Sequence, residues 1–177
     1  MRVVAGELRG RRFEGPPGHD TRPTTDKVRE AVFNALTSLD LVRDATVADL
    51  FAGSGGLGIE ALSRGAAHVP FVERDRGALR VLRDNLRTLD LGGRTKVVAA
   101  DAVTTLRGLD VDLVLADPPY DFDRWSELLA ASRADFVVAE AGRSLDVVEV
   151  PGWTAIRTKR YGRTWVTFFE RISPGAA

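Results

Sequence analysis

The sequence has no cysteine and only two histidines and one methionine among its 177 residues. Without cysteine it can build no disulfide framework, thiolate nucleophile or thiolate metal site. His19 and His68 lie too far apart to suggest a histidine cluster, so no metal is expected. Long apolar runs are missing as well. Nothing approaches the roughly 18 to 20 residues of a membrane-spanning helix, and Met1-Arg2-Val3-Val4-Ala5-Gly6 lacks the apolar stretch of a secretory signal. The expectation is a cytoplasmic protein.

Net charge is also absent, since 25 Lys and Arg balance 25 Asp and Glu. The balance conceals a gradient. Residues 43 to 150 hold 13 basic against 18 acidic residues, whereas residues 151 to 177 hold 5 against 1. Arg2, Arg9, Arg11 and Arg12 face Glu7 alone in the first twelve residues. Both flanks can therefore meet a polyanion, while for any single arginine a solvated surface is the better reading and only the clustering at both ends favours the polyanion.

The length and 44% hydrophobic content suit one domain with small appendages. Residues 1 to 20 read as an N-terminal extension, with a short hairpin over 2–13 and the connector Gly15-Pro16-Pro17-Gly18. The main domain is expected over 21–173, and 174–177 as a frayed tail. Thr24 or Thr25 can cap a helix in which Val28, Ala31, Val32, Ala35, Leu36 and Leu39 share one face, with Lys27, Arg29, Glu30 and Asn34 on the other. From Thr46 onward, strand, glycine-rich turn and helix alternate: strands over 47–51, 69–72, 96–100, 111–116 and 136–140, with helices over 57–64 and through Leu79, Leu82, Leu86 and Leu89. Residues 145–150 and 164–171 read as a closing antiparallel hairpin. The fold class is α/β, a Rossmann-like, mostly parallel seven-stranded sheet.

Two motifs carry chemistry. Gly53, Gly55 and Gly58 stand at GxGxxG spacing between a strand and a helix, where glycine lets the backbone turn tightly and approach a nucleotide. Glu73, twenty residues after Gly53, can accept from ribose hydroxyls. NAD and S-adenosylmethionine both fit so far. Asp49 tilts the choice, because a carboxylate before the loop repels a pyrophosphate and suits a ligand carrying an ammonium and a sulfonium. Asp101 and Ala102 can face an adenine through a carboxylate and a backbone N–H, though a strand-ending turn aspartate is as good a reading.

The second motif, Asp117-Pro118-Pro119-Tyr120, follows the apolar run Leu113-Val114-Leu115-Ala116. Methylation of an exocyclic amine needs a nitrogen lone pair aimed at the sulfonium methyl, and acceptors for both N–H bonds accomplish this. Asp117 and the Pro118 carbonyl can be those acceptors. The prolines stiffen the loop, and Tyr120 can stack on a base. A Pro-Pro turn with a rim aromatic would look alike; beside an acidic glycine loop the tetrapeptide gains weight.

The glycine loop with DPPY resembles the amino-methyltransferases. Arg2-Val3-Val4-Ala5-Gly6, Arg9-Gly10-Arg11, Arg22-Pro23-Thr24, Val28-Arg29-Glu30, Phe33-Asn34, the stretch from Asp49 to Glu60 and Arg64-Gly65-Ala66 resemble the RsmD-type 16S rRNA guanine-N2-methyltransferases over nearly the whole chain. The resemblance implies S-adenosylmethionine as cofactor and guanine 966 of 16S rRNA, in the assembled 30S subunit, as target. It implies cofactor contacts at Asp49, Phe51, Gly53, Gly55, Glu73, Asp101 and Ala102, and catalytic roles for Asp117, Pro118 and Tyr120. Arg2, Arg9, Arg11, Arg12, Arg22, Lys159, Arg160 and Tyr161 are the expected RNA contacts, with the guanine flipped into the pocket of a monomeric enzyme. An NAD-linked oxidoreductase would need a suitably placed acid or base that neither histidine offers. A noncatalytic RNA-binding assembly factor would not need both motifs, and a DNA adenine-N6 methyltransferase would need a larger target-recognition domain.

Overall fold

A computed structural model describes residues 1–15 and 26–172. The capping threonines 24 and 25, most of the connector, Arg22 and the 174–177 tail lie outside the described residues. Helix α1 (Asp26–Ser38) precedes β1 (Val47–Leu50), α2 (Gly56–Ser63), β2 (Val69–Glu73), α3 (Arg76–Thr88), β3 (Thr95–Ala99), α4 (Ala102–Leu106), β4 (Leu113–Ala116), α5 (Trp125–Ala131), β5 (Phe136–Ala141), β6 (Trp153–Tyr161) and β7 (Thr164–Arg171). The seven strands form one sheet in the order β3-β2-β1-β4-β5-β7-β6. Five run parallel, and β7 and β6 close the edge antiparallel.

Strand order reverses between β1 and β4, whose carboxyl ends flank the crevice where doubly wound sheets bind ligands. Both strands are buried throughout because helices cover both faces. Alternation sends Val47, Leu113 and Leu115 into a core layer with α1 and α2, and Ala48, Leu50, Val114 and Ala116 into the opposite layer with α4 and α5.

The N-terminal segment departs from a regular hairpin. A single antiparallel bridge, Arg2 to Arg12, closes it, with Val3 N donating to Arg11 O and Gly10 N to Val3 O. Met1 and Phe13 exchange two further backbone hydrogen bonds (2.9 and 3.1 Å), and Val3 and Phe13 sink into the core, so apolar anchoring adds to the short cross-strand pairing.

Arg29 corrects the expected face of α1. It is wholly buried: its Nη2 donates to the Arg2 carbonyl (2.6 Å) and to Asp26 Oδ1 (2.9 Å), and its Nε lies 3.5 Å from Glu60 Oε2. Helical periodicity places Arg29 beside Val28 and Val32, and the acids around it make that burial tolerable. Leu39, expected on the buried face, is half-exposed just beyond the helix.

The closing hairpin is also corrected. Residues 145–150 form turns, and the partner of β7 is β6, which contains the expected RNA contacts Lys159, Arg160 and Tyr161. Leu145 and Val150 are buried while Val147 is exposed, a spacing without strand alternation. As the edge strand, β6 faces solvent over most of its length, and its Lys and Arg residues, which disguise the strand in sequence, discourage pairing with another chain.

Candidate active site

Asp49 on β1 is 1% exposed and accepts a 2.7 Å hydrogen bond from Gly58 N in the first turn of α2. Burial raises its pKa well above the ordinary carboxylate value, opposed by the Gly58 hydrogen bond and reinforced by the nearby charges of Asp117 and Glu73. Three residues of the following loop adopt left-handed backbone conformations: Phe51 (φ 58°), Gly53 (φ 56°) and Gly55 (φ 89°). For Phe51 this conformation costs on the order of 1–3 kcal/mol, a strain the loop holds at the mouth of the crevice.

The glycines have distinct roles. A Cβ on Gly55 would stand 2.6 Å from Leu82 Cδ1, and one on Gly58 2.3 Å from Phe71 Cε1, so both are required by close packing of α2 on β2 and α3. A Cβ on Gly53 would meet nothing nearer than the Phe51 carbonyl at 4.0 Å, so that side of the loop is open. Glu73, at the end of β2, accepts from Gly53 N through Oε2 (2.9 Å) and from Arg74 N and Asp75 N through Oε1 (2.7 and 2.8 Å). These bonds fix its orientation and leave Oε2 with acceptor capacity toward the crevice.

Asp101 caps α4, its Oδ1 accepting from Thr104 N (2.9 Å), while Oδ2 lies 3.4 Å from Arg124 Nη1. Its pKa is lowered, chiefly by the Thr104 amide. Ala102 is buried in the first turn of that helix.

Strand β4 ends at Ala116, opposite Leu50 on β1, so the Asp117 loop and the glycine loop leave the sheet side by side. Asp117 is half-buried, Pro118 buried, and Tyr120 56% exposed. The Phe122 amide donates to the Pro119 carbonyl (3.0 Å), closing the turn. Phe122 joins the two loops: its ring meets Phe51 and Trp125 edge-on, each at 5.0 Å between centroids. Trp125 is 2% exposed at the start of α5.

Beyond Tyr120 opens a cavity of about 510 Å³, walled by Tyr120, Trp125, Gly142, Arg143, Arg160, Arg163 and Trp165 among others. Gly142 and Arg143 follow β5, and their part here had no motif to announce it. The available signal was position, immediately after the apolar run 136–140 and hence at a strand's carboxyl end. A Cβ on Gly142 would come within 2.8 Å of Tyr120 Cδ1, so the ring rests on a bare backbone.

The basic residues separate by face. Strand alternation turns Arg160 toward this cavity, where its guanidinium lies 5.6 Å from the Trp165 ring centroid. Lys159 and Tyr161 line a second cavity, about 460 Å³, between β6 and α1, with Lys159 Nζ 5.2 Å from the Tyr161 ring. Of the N-terminal arginines, Arg2 pairs with Asp26 (3.4 Å) and Arg11 donates to the Thr88 carbonyl (2.8 Å), while Arg9 and Arg12 are exposed. Among the described residues no cluster of His, Cys, Asp and Glu could hold a metal ion, and no helix is long and apolar enough to cross a membrane.

The family model described as conserved hypothetical protein 95 matches residues 1–170. Ribosomal RNA small subunit methyltransferase D of Escherichia coli K12 is 35% identical over 99% of this chain and 92% of its own length. The Haemophilus influenzae protein of the same name is 29% identical over 92% of this chain and 89% of its own. A solved structure described as a methyltransferase from Escherichia coli superposes with a TM-score of 0.84 at 35% identity, covering 97% of both chains. A Haemophilus influenzae methylase structure gives 0.77 at 26% identity, covering 97% of this chain and 98% of that one. The crevice between β1 and β4, its two motifs and these matches together place the chain in the RsmD family of rRNA methyltransferases.

Proposed function

We propose that this chain transfers a methyl group from S-adenosylmethionine to the exocyclic N2 amine of a guanine in 16S rRNA, guanine 966, within the assembled 30S particle. It does so as a cytoplasmic monomer, with residues 1–20 an RNA-facing extension of a methyltransferase domain over 21–173. The observation that carries the reading is the Leu50–Ala116 register, which brings the acidic glycine loop and the Asp117 loop out of the sheet together.

The donor supplies an electrophilic methyl on a sulfonium. The residues present fit such a ligand. The open side of Gly53 admits a close approach, Glu73 retains an acceptor for ribose hydroxyls, and the carboxylates of Asp49, Glu73 and Asp117 favour a cation over a pyrophosphate. Asp101 can accept from an adenine amine by exchanging its long Arg124 contact for the new donor.

Asp117 and the Pro118 carbonyl accept the two N–H bonds of the guanine amine, which draws the nitrogen toward tetrahedral geometry and aims its lone pair, otherwise delocalised into the ring, at the methyl. Tyr120 stacks on the base, a contact worth about 1–3 kcal/mol. As the new N–C bond forms, the S–CH3 bond breaks to leave the neutral thioether S-adenosylhomocysteine, and positive charge passes to the guanine nitrogen. Asp117 stabilises that charge and is placed to take the proton released.

The test is transfer of tritium from labelled S-adenosylmethionine to undermethylated 30S particles, naked rRNA and DNA in parallel. The expected result is label on guanine N2 of the particle, reduced roughly 10²–10³-fold in Asp117→Ala, the range for losing one stabilising polar group. Label confined to DNA would overturn the RNA assignment. No label on any substrate would leave a binding factor as the better reading.

A further inference from the structure

The cavity beyond Tyr120 has a composition that amine methylation alone does not require. Arg143 after β5, Arg160 near the end of β6 and Arg163 in the β6–β7 turn converge on one space with Trp165 and Tyr120. None of the three arginines forms an ion pair among the described residues, whereas Arg2, Arg29, Arg64, Arg87, Arg94 and Arg124 all do. Arg160 is held in place by donating from Nε to the Gly162 carbonyl (2.9 Å) and by its position over Trp165. Three cations sharing a concave site raise its positive potential, and the cost of keeping them together is recovered when an anion enters.

We infer that this cavity is a subsite for the phosphodiester backbone next to the target nucleotide: Arg143, Arg160 and Arg163 grip phosphate oxygens while Trp165 and Tyr120 offer ring faces to the displaced strand. The inference rests on the RNA-methylation reading and adds to it a set of residues that place the strand. Guanidinium groups hold phosphate oxygens through paired, charge-assisted hydrogen bonds. A base drawn out of its stack carries its flanking phosphates with it. Tyr120 lines both the catalytic loop and this cavity, so a backbone held there lies one residue's reach from a base resting on Tyr120. The site positions the strand and reads no sequence, because phosphate contacts are the same for every base.

The test uses the intact protein and undermethylated 30S particles. Arg143→Gln, Arg163→Gln and the double variant are compared with Arg107→Gln, an exposed arginine outside the cavity. KM for the particle, kcat, affinity for S-adenosylmethionine and the dependence of particle binding on salt are measured for each. Each cavity substitution is expected to raise KM about tenfold, the loss of one charge-assisted hydrogen bond, with kcat and S-adenosylmethionine affinity within about twofold. The double variant should flatten the slope of log affinity against log salt by about 1.4, from 0.7 per released phosphate contact on a single strand. Arg163→Lys should recover part of the loss, and Arg107→Gln should match the parent.

An unchanged KM and salt slope in the double variant, with wild-type methylation intact, would overturn the subsite and leave the methylation reading standing. Salt-dependent particle binding that needs Arg143 and Arg163, in a protein that transfers no methyl group, would overturn methylation and keep the subsite.

Discussion

Both ends of the chain are basic, yet they use their arginines in opposite ways. Near the N-terminus, Arg9 and Arg12 are exposed, but other guanidinium groups that gather around the segment are tied into the fold. Arg2 meets Asp26, Arg11 meets the carboxyl end of α3, Arg94 meets Glu7, and the buried Arg29 and the partly buried Arg64 both converge on Glu60. In the C-terminal hairpin Arg160 and Arg163, with Arg143 from the adjoining strand end, form no ion pair among the described residues and share a cavity beside the Asp117 loop. Charge counts rate the two flanks alike. The fold separates them, because a guanidinium already neutralised by a buried acid has little attraction left for a phosphate.

Removing the acid at the centre of the N-terminal network breaks the comparison most sharply. Glu60 accepts from Val4 N (2.8 Å), Ala5 N (3.0 Å) and Arg64 Nε (2.8 Å), and it is wholly buried. Glu60→Ala takes an acceptor from the buried Arg29 and the partly buried Arg64 and releases the Val4 and Ala5 amides from α2. A loss of about 3–5 kcal/mol is expected, which for a domain of this size lowers Tm by on the order of 10 °C. Thermal unfolding followed by circular dichroism measures it. A drop of less than about 2 °C would mean that Val3 and Phe13 hold the segment without the charges.

A smaller effect sharpens the hairpin side. The ring of Tyr120 rests on Gly142, and a single methyl there would meet Cδ1 at 2.8 Å. The ring is half-exposed and can swing away, so Gly142→Ala should leave Tm within about 2 °C while moving the ring from its place over Gly142. Misplacement at this scale is expected to lower kcat/KM for the 30S particle about tenfold without altering affinity for S-adenosylmethionine. Kinetics equal to the parent's would show that the ring's position over Gly142 is not the productive one.

How much of this was legible in the sequence follows from how local each signal is. The βαβ alternation and the register of both motifs could be read directly, since period and glycine spacing survive in one dimension. Arg29 could not, because only the tertiary encounter with Glu60 turns a polar helix position inward. Strand β6 was hidden by its own edge position, where solvent on most of its surface removes the alternation that marks a strand and leaves a run that looks like a basic tail. Residues 145–150 misled for the opposite reason, being apolar enough to resemble a strand while turning ahead of Pro151. The pocket formed by Gly142, Arg143, Arg160 and Arg163 joins two sequence-distant segments, and its wall exists only after β7 inserts between β5 and β6.

The subtlest expected effect concerns the acidic interior that faces this basic rim. Asp49 has a raised pKa, chiefly from burial, so the native state holds its proton more tightly than the unfolded chain does. By linkage this contributes stability that is fully present below the unfolded carboxylate pKa and is lost as pH rises through the native value. Asp49→Asn keeps a side-chain oxygen for Gly58 N and never ionises. Its Tm relative to the parent should therefore rise with pH, from little difference at low pH to a variant more stable by a few degrees at the alkaline end. The same substitution should weaken S-adenosylmethionine binding, because a cationic ligand favours the ionised carboxylate. For the parent, titration calorimetry in buffers of different ionisation enthalpy should detect proton release on binding at pH values where Asp49 is protonated in the free protein. A Tm difference that stays flat across pH would mean that Asp49 titrates alike in the native and unfolded states, with the Gly58 hydrogen bond offsetting the effect of burial.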